Sequence, residues 1–166
     1  MALNRRVFQF FFPSLTPAFM IRVGCIALAT YLIFGHLLTP FQIKGSSMEP
    51  TYQSGEVNFC WKLRYLFSKP KRGDVVVIRF TGQRITLLKR VIALENEEIE
   101  FRHGKLLING KEQDEPYLQG SYDWTLPARR VEPDSVYVVG DNRKGPMQNH
   151  IFGQTSLTRI LGGPLW

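Results

Sequence analysis

The sequence predicts a mainly β domain preceded by one N-terminal membrane helix. Three observations predict it: a single uncharged apolar run near the start, a change after Thr39 to short β-branched runs between Gly, Pro and Asn turn signals, and no long amphipathic helix pattern beyond that point. The chain has 166 residues, and removing the membrane segment leaves roughly 120, enough for one modest core. The expected division is residues 1–40 as tail and membrane segment and residues 41–166 as one extracytoplasmic β domain. No repeat, low-complexity tract or linker divides the latter.

The uncharged stretch runs from Val23 to Ile43, with its apolar heart at Val23 to Leu38, at the short end of what spans a bilayer. Arg5, Arg6 and Arg22 precede it, so the positive-inside tendency puts the N-terminus inside and everything after Thr39 outside. A cleaved secretory signal is the competing reading, but Leu37 to Lys44 is bulky or polar apart from Thr39 and offers no small-x-small cleavage site. The Phe8 to Phe12 cluster, with Pro13 and Pro17 after it, reads as an interfacial segment.

Strands follow in order. Val75 to Phe80 (V-V-V-I-R-F) is introduced by Arg72-Gly73-Asp74, and Arg84 to Leu94 is the next. Glu98 to Phe101 and Leu106 to Ile108 flank His103-Gly104 as a hairpin, and Asn109-Gly110 marks a further turn. Ser135 to Val139 runs into Gly140-Asp141-Asn142-Arg143, and Leu157 to Leu161 is a short final strand. Gln119 to Val131 shows no strand pattern and is expected to be a long loop.

The formal net charge of +7 invites a nucleic-acid reading, but its distribution argues against one. Before Ser47 stand Arg5, Arg6, Arg22 and Lys44 and no acid; the remaining 17 of the 21 basic residues nearly balance the 14 acids. No aromatic-plus-Arg RNA motif or helix-turn-helix pattern is present, so no nucleic-acid partner is expected. Membrane topology accounts for the excess. Cys25 lies in the apolar run and Cys60 in the later domain, so no disulfide is expected. His36, His103 and His150 are scattered and show no metal-ligand spacing, so no metal or cofactor is expected either.

About nine residues past the apolar run comes G-S-S-M-E-P-T, Gly45 to Thr51, which places Ser47 on a turn near the membrane surface. A loop serine is usually a local cap or turn residue, and a serine becomes a nucleophile only beside a base. Lys89 is the candidate. On a strand, Ile85, Leu87, Lys89 and Val91 share one face, so Lys89 interrupts an apolar row. Loss of hydration lowers a lysine pKa, and a neutral amine can take the proton of a hydroxyl. The competing reading is a strand lysine whose stem packs while its head reaches water. The histidines fit the base role less well, lying in the apolar run, a hairpin turn and a polar loop.

Taken together, these pieces resemble the type I signal peptidases of the Ser-Lys class, which include the bacterial leader peptidases and mitochondrial inner membrane peptidases. The family's S-M-x-P-T box stands at Ser47 to Thr51, its G-D-(I/V)-V-V strand at Gly73 to Val77, its K-R-(V/I) strand at Lys89 to Val91 and its G-D-N-R box at Gly140 to Arg143. Leu106 to Lys111 (L-L-I-N-G-K) is also similar. The resemblance implies a signal-peptidase-like fold of two antiparallel sheets, Ser47 as acylating nucleophile, Lys89 as general base, and Arg90 with Asp141 as a structural ion pair. It implies no cofactor. The implied partners are precursor proteins with N-terminal signal peptides and the lipid bilayer, a bacterial plasma membrane in preference to a mitochondrial inner membrane.

Three departures accompany the likeness. Gly45 stands where many members carry a serine whose hydroxyl serves the oxyanion, leaving backbone N–H groups, chiefly that of Ser47, with Ser46 and Met48 as neighbouring support. Pro146 stands where a serine commonly hydrogen-bonds the lysine, with Gln148 and His150 in place of a bracing Asp and Arg. Glu95-Asn96-Glu97 replaces a P-G-D turn. Two rivals stand beside the peptidase: an impaired or specialised membrane-tethered β domain that binds export partners, and a self-cleaving repressor on the same scaffold, which would need a DNA-binding domain. The basic, aromatic stretch Phe59 to Arg72 reads either as a bilayer-resting surface or as a strand with a solvated basic face.

Overall fold

The computed structural model describes residues 16–80 and 86–166. The Phe8 to Phe12 cluster, Arg84 and Ile85 lie outside them. The chain divides into two compact units, residues 1–37 and 38–166.

In the first unit, helix α1 spans Pro17–Leu32 and passes into a π-helical turn, Ile33–Leu37. It starts six residues before the expected apolar heart because Thr16 caps it, accepting a bond from Phe19 N at 3.3 Å, and Pro17 supplies a pre-set first position. Arg22 therefore lies inside the helix. Pro17–Leu37, 21 residues with none of its length buried in the protein, is long and apolar enough to cross a bilayer.

The second unit contains eleven strands among the described residues: β1 Leu38–Gln42, β2 Val57–Trp61, β3 Val75–Arg79, β4 Thr86–Ala93, β5 Glu98–Arg102, β6 Lys105–Ile108, β7 Lys111–Glu112, β8 Leu126–Arg130, β9 Ser135–Val139, β10 Gly153–Ser156 and β11 Ile160–Pro164. They form a seven-stranded sheet in the order β1-β2-β11-β3-β4-β9-β10 and a four-stranded sheet in the order β7-β6-β5-β8. Every pairing is antiparallel. Pro40 is tolerated because β1 is an edge strand. The two expected turns are two-residue hairpin loops: His103-Gly104 joins Arg102 to Lys105 and Asn109-Gly110 joins Ile108 to Lys111, all four turn residues with positive φ.

Strand β3 is buried on both faces, which is why its sequence reads as a continuous apolar run. Val75 and Val77 join Ile43, Met48, Cys60 and Leu88 in one cluster, while Val76 and Ile78 join Val91, Val136 and Val138 in another. A third cluster seals the two sheets together through Ile92 and Val139 from the larger and Ile99, Phe101, Leu106 and Ile108 from the smaller. Cys25 and Cys60 are both free.

Two elements differ from expectation. The stretch from Gln119 to Val131 is not wholly a loop: it contains β8, paired with β5 through Phe101↔Leu126 and Glu98↔Arg130, and it buries Trp124, Leu126 and Val131 in the third cluster. Only Leu126 within β8 points inward, so the strand has no readable alternation and is fixed by its neighbour. The last strand is shifted: Leu157–Arg159 is a 3₁₀ turn, and β11 follows it.

Candidate active site

Ser47 sits in the loop between β1 and β2, whose base is closed by Ile43 N to Glu56 O and Gly55 N to Ile43 O, each 2.8 Å. The next residue, Met48, is 1% exposed and plugs the loop into the Ile43–Leu88 cluster. Glu49 N donates to Ser46 O at 3.1 Å and Tyr52 N to Met48 O at 3.0 Å, so the nucleophile candidate rides on a tight turn. Ser46 is exposed, with its carbonyl held inside that turn.

Lys89 lies on β4 between Leu88 and Arg90, opposite Val76 of β3. The alternation read from sequence holds on the described residues: Leu88 enters the Ile43 cluster, whereas Lys89 shares a face with Leu87 and Val91, near Ile78, Val138 and Phe152. Lys89 is 4% exposed, and its Nζ is 2.8 Å from Ser47 Oγ. Burial lowers its pKa from the ordinary 10.5 to about 8; the Asp141 charge opposes this and loses.

Asp141 is a weak opponent because its carboxylate is already engaged. Arg90 grips it with Nε to Oδ1 at 2.8 Å and Nη2 to Oδ2 at 2.6 Å, Thr51 Oγ1 donates to Oδ2 at 2.5 Å, and the Asp141 side chain is fully buried. Arg90 also donates to Gly73 O at 2.7 Å and stacks its guanidinium 4.0 Å from the Tyr117 ring. The Arg90–Asp141 pair thus ties β4 to the segment after β9 and to the Ser47 loop.

The glycine between β9 and Asp141 has a more direct part. A Cβ on Gly140 would meet Ser47 O at 2.2 Å and Lys89 Nζ at 3.3 Å, so this backbone forms the surface on which both groups rest. Asn142 holds it there, its N–H donating to Ser47 O and its Nδ2 to Ser46 O, both at 3.0 Å. Arg143, 3% exposed, donates from Nε to Gly140 O at 2.7 Å and from Nη2 to Glu115 at 2.8 Å, and it lies over the Phe101, Tyr122 and Trp124 rings. Gly140, Asn142, Arg143 and Glu115 had no role assigned from sequence; the G-D-N-R box flagged three of them, whereas Glu115 has no local signal.

The segment after Arg143 is braced without the usual Asp and Arg. Trp124 Nε1 donates to Gly145 O at 3.0 Å, its ring centroid is 4.8 Å from that of His150, and His150 Nε2 bonds Lys144 O at 2.8 Å. Pro146 opens a 3₁₀ turn, Met147–Asn149. Among the described residues, Ser47 Oγ is the hydrogen-bond partner of Lys89, so packing of the lysine stem and the Gly140 backbone aim the amine.

The family described as Signal peptidase, peptidase S26 matches residues 17–164. Signal peptidase I of Bacillus caldolyticus is 30% identical over 154 residues, covering 84% of this chain and 83% of that protein. Signal peptidase I of Leptolyngbya laminosa is 32% identical over 128 residues, covering 72% of this chain, which spans 63% of that protein's length. A crystal structure of a signal peptidase I from Enterococcus faecalis V583 superposes with a TM-score of 0.49 at 24% identity, covering 58% of this chain and 97% of that one. With its helix, both sheets, the Ser47 loop and the Lys89 strand inside the matched span, the chain belongs to the signal peptidase family, peptidase S26.

Proposed function

We propose that the protein is a membrane-bound serine endopeptidase that removes N-terminal signal peptides from exported precursors, with Ser47 as nucleophile and Lys89 as general base. The observation that carries this reading is the buried Lys89 amine 2.8 Å from Ser47 Oγ, its pKa brought to about 8. The neutral amine takes the hydroxyl proton as Oγ attacks the scissile carbonyl. Backbone N–H groups of the Ser47 turn receive the oxyanion, since Gly45 offers no hydroxyl. Lys89 passes the proton to the departing nitrogen as the C–N bond breaks, leaving an ester on Ser47 Oγ. Water, deprotonated by the same amine, then hydrolyses that ester.

A cavity of about 50 Å³ beside Ser47, walled by Ile43, Met48, Val77 and Leu88, has room for small apolar side chains on the acyl side of the cut. The full-length protein in detergent micelles is expected to cleave a signal-peptide substrate with kcat/KM rising through an apparent pKa of about 8, falling tenfold per pH unit below it. A break near pH 6.5 would point to a histidine base and reject the assignment.

The membrane supplies the substrate, and the β domain is suited to rest on it. Val57, Phe59 and Trp61 alternate along one side of β2, the Trp166 ring packs 5.7 Å from Phe59, and Phe67 is 96% exposed. Of the basic residues in the same stretch, Arg64 pairs with Asp74, Lys69 with Glu95 and Asp134, and Arg72 with Glu97, which leaves Lys62 and Lys71 as the cations suited to an anionic leaflet. The positive-inside tendency of Arg5, Arg6 and Arg22 supports a reading with the N-terminus inside and the β domain outside, and the bacterial relatives support a bacterial plasma membrane as the site. Phe67→Glu is expected to slow cleavage of a vesicle-inserted precursor several-fold while leaving a short soluble peptide unaffected; equal losses on both substrates would count against an interfacial role.

A further inference from the structure

One amine serves both sides of the scissile bond, and this orients the substrate. If Lys89 returns the proton to the departing nitrogen, that nitrogen and the residues after it lie on the Lys89 side of the site, while the acyl residue lies on the Ser47 side. Each side has its own cavity. The one of about 50 Å³ has Ser47 in its wall and not Lys89; a second, of about 100 Å³, has Lys89 in its wall and not Ser47. Leu87 borders both and acts as the partition.

The second cavity has an apolar base, with Ile78, Val138 and Phe152, and a charged rim. Arg79 and Arg159 line it, both are exposed, and neither has an ion-pair partner among the described residues. Among the described residues no carboxylate lines it; Glu132 bonds the Gln154 amide at 2.8 Å but is not part of the wall. A side chain entering here meets two guanidiniums and the base lysine, with no acid to offset them.

We propose that this cavity receives the first residues of the released chain, and that Arg79 and Arg159 favour acidic side chains there and disfavour lysine and arginine. The proposal rests on the assignment of Ser47 and Lys89. Exposed charge pairs are individually weak, so two acting together on substrates of opposite charge give a preference of about tenfold, which shrinks in high salt.

The test uses the full-length protein in neutral detergent micelles and two peptides sharing one signal sequence, with Glu or Lys at the second position after the cut. The Glu:Lys ratio of kcat/KM is the readout, because general losses of activity or folding cancel within each enzyme. The wild-type ratio is expected to be about ten at low salt and to fall towards one in 1 M NaCl, and the double variant Arg79→Glu/Arg159→Glu is expected to invert it. A wild-type ratio near one, or a ratio that charge reversal leaves unchanged, overturns the proposal while the Ser47–Lys89 reading stands. Failure to cleave either peptide removes both.

Discussion

Replacing Lys89 by methionine is expected to abolish cleavage and, at pH 7, to make the protein more stable. Methionine keeps the unbranched stem that packs beside Leu87 and Val91 and removes only the amine that meets Ser47 Oγ. Loss of a base acting as a unit with its nucleophile lowers kcat/KM by at least about 10⁴-fold, and Ser47→Ala should cost about as much, with the double variant little worse than either. The stability gain follows from the lowered pKa. Below pH 8 the lysine is charged whether folded or unfolded, and the folded chain bears the whole burial penalty; between the ordinary 10.5 and about 8, a separation worth on the order of 3 kcal/mol, the penalty shrinks to nothing as pH rises. Methionine should therefore raise the melting temperature at pH 7 and lose that advantage near pH 10.5. Residual cleavage above 1% in Lys89→Met would rule this amine out as the base.

Gly140→Ala is expected to be almost as damaging, although it adds a single methyl group. That methyl would stand 2.2 Å from the Ser47 carbonyl oxygen and 3.3 Å from Lys89 Nζ. The oxygen belongs to backbone that Asn142 and the buried Met48 hold on either side, so it cannot step aside like a side-chain tip. Displacing the Ser47 turn by about 1 Å would cost about 10²-fold in kcat through lost alignment, with about 1–3 kcal/mol of stability lost to overpacking. Steady-state kinetics with a signal peptide, alongside thermal melts, would check both numbers. A rate within threefold of wild type would show that the turn moves freely and that Gly140 does not set the dyad's geometry.

Much of this was legible in the residues, for identifiable reasons. The apolar row broken at Lys89 is a local periodic signal, and it survives folding because β4 is buried on both faces. The hairpin turns at His103-Gly104 and Asn109-Gly110 were readable because positive φ restricts residue choice. Strand β8 was not readable, since one inward residue, Leu126, cannot set a period and pairing with β5 decides the conformation. The helix start was encoded in Thr16-Pro17, but an apolar-run criterion stops short of it at Arg22. The role of Gly140 depends on which distant backbone folds over it, and the bracing of the 144–150 segment by Trp124 depends on a side chain drawn from a stretch that looked structureless. Close approach between segments remote in sequence has no local signature.

Strand β11 lies between β2 and β3 in the larger sheet, made from the chain's final residues. The hairpin holding the Ser47 loop and the strands holding Lys89 are joined in that sheet only through it. Residues 160–164 must therefore slot between the two halves before the sheet holds alcohol and amine in one rigid frame. Assembly of the pair is thus a late, non-local event: freeing β11 from its slot would remove the sheet's link between the two groups without touching either of them.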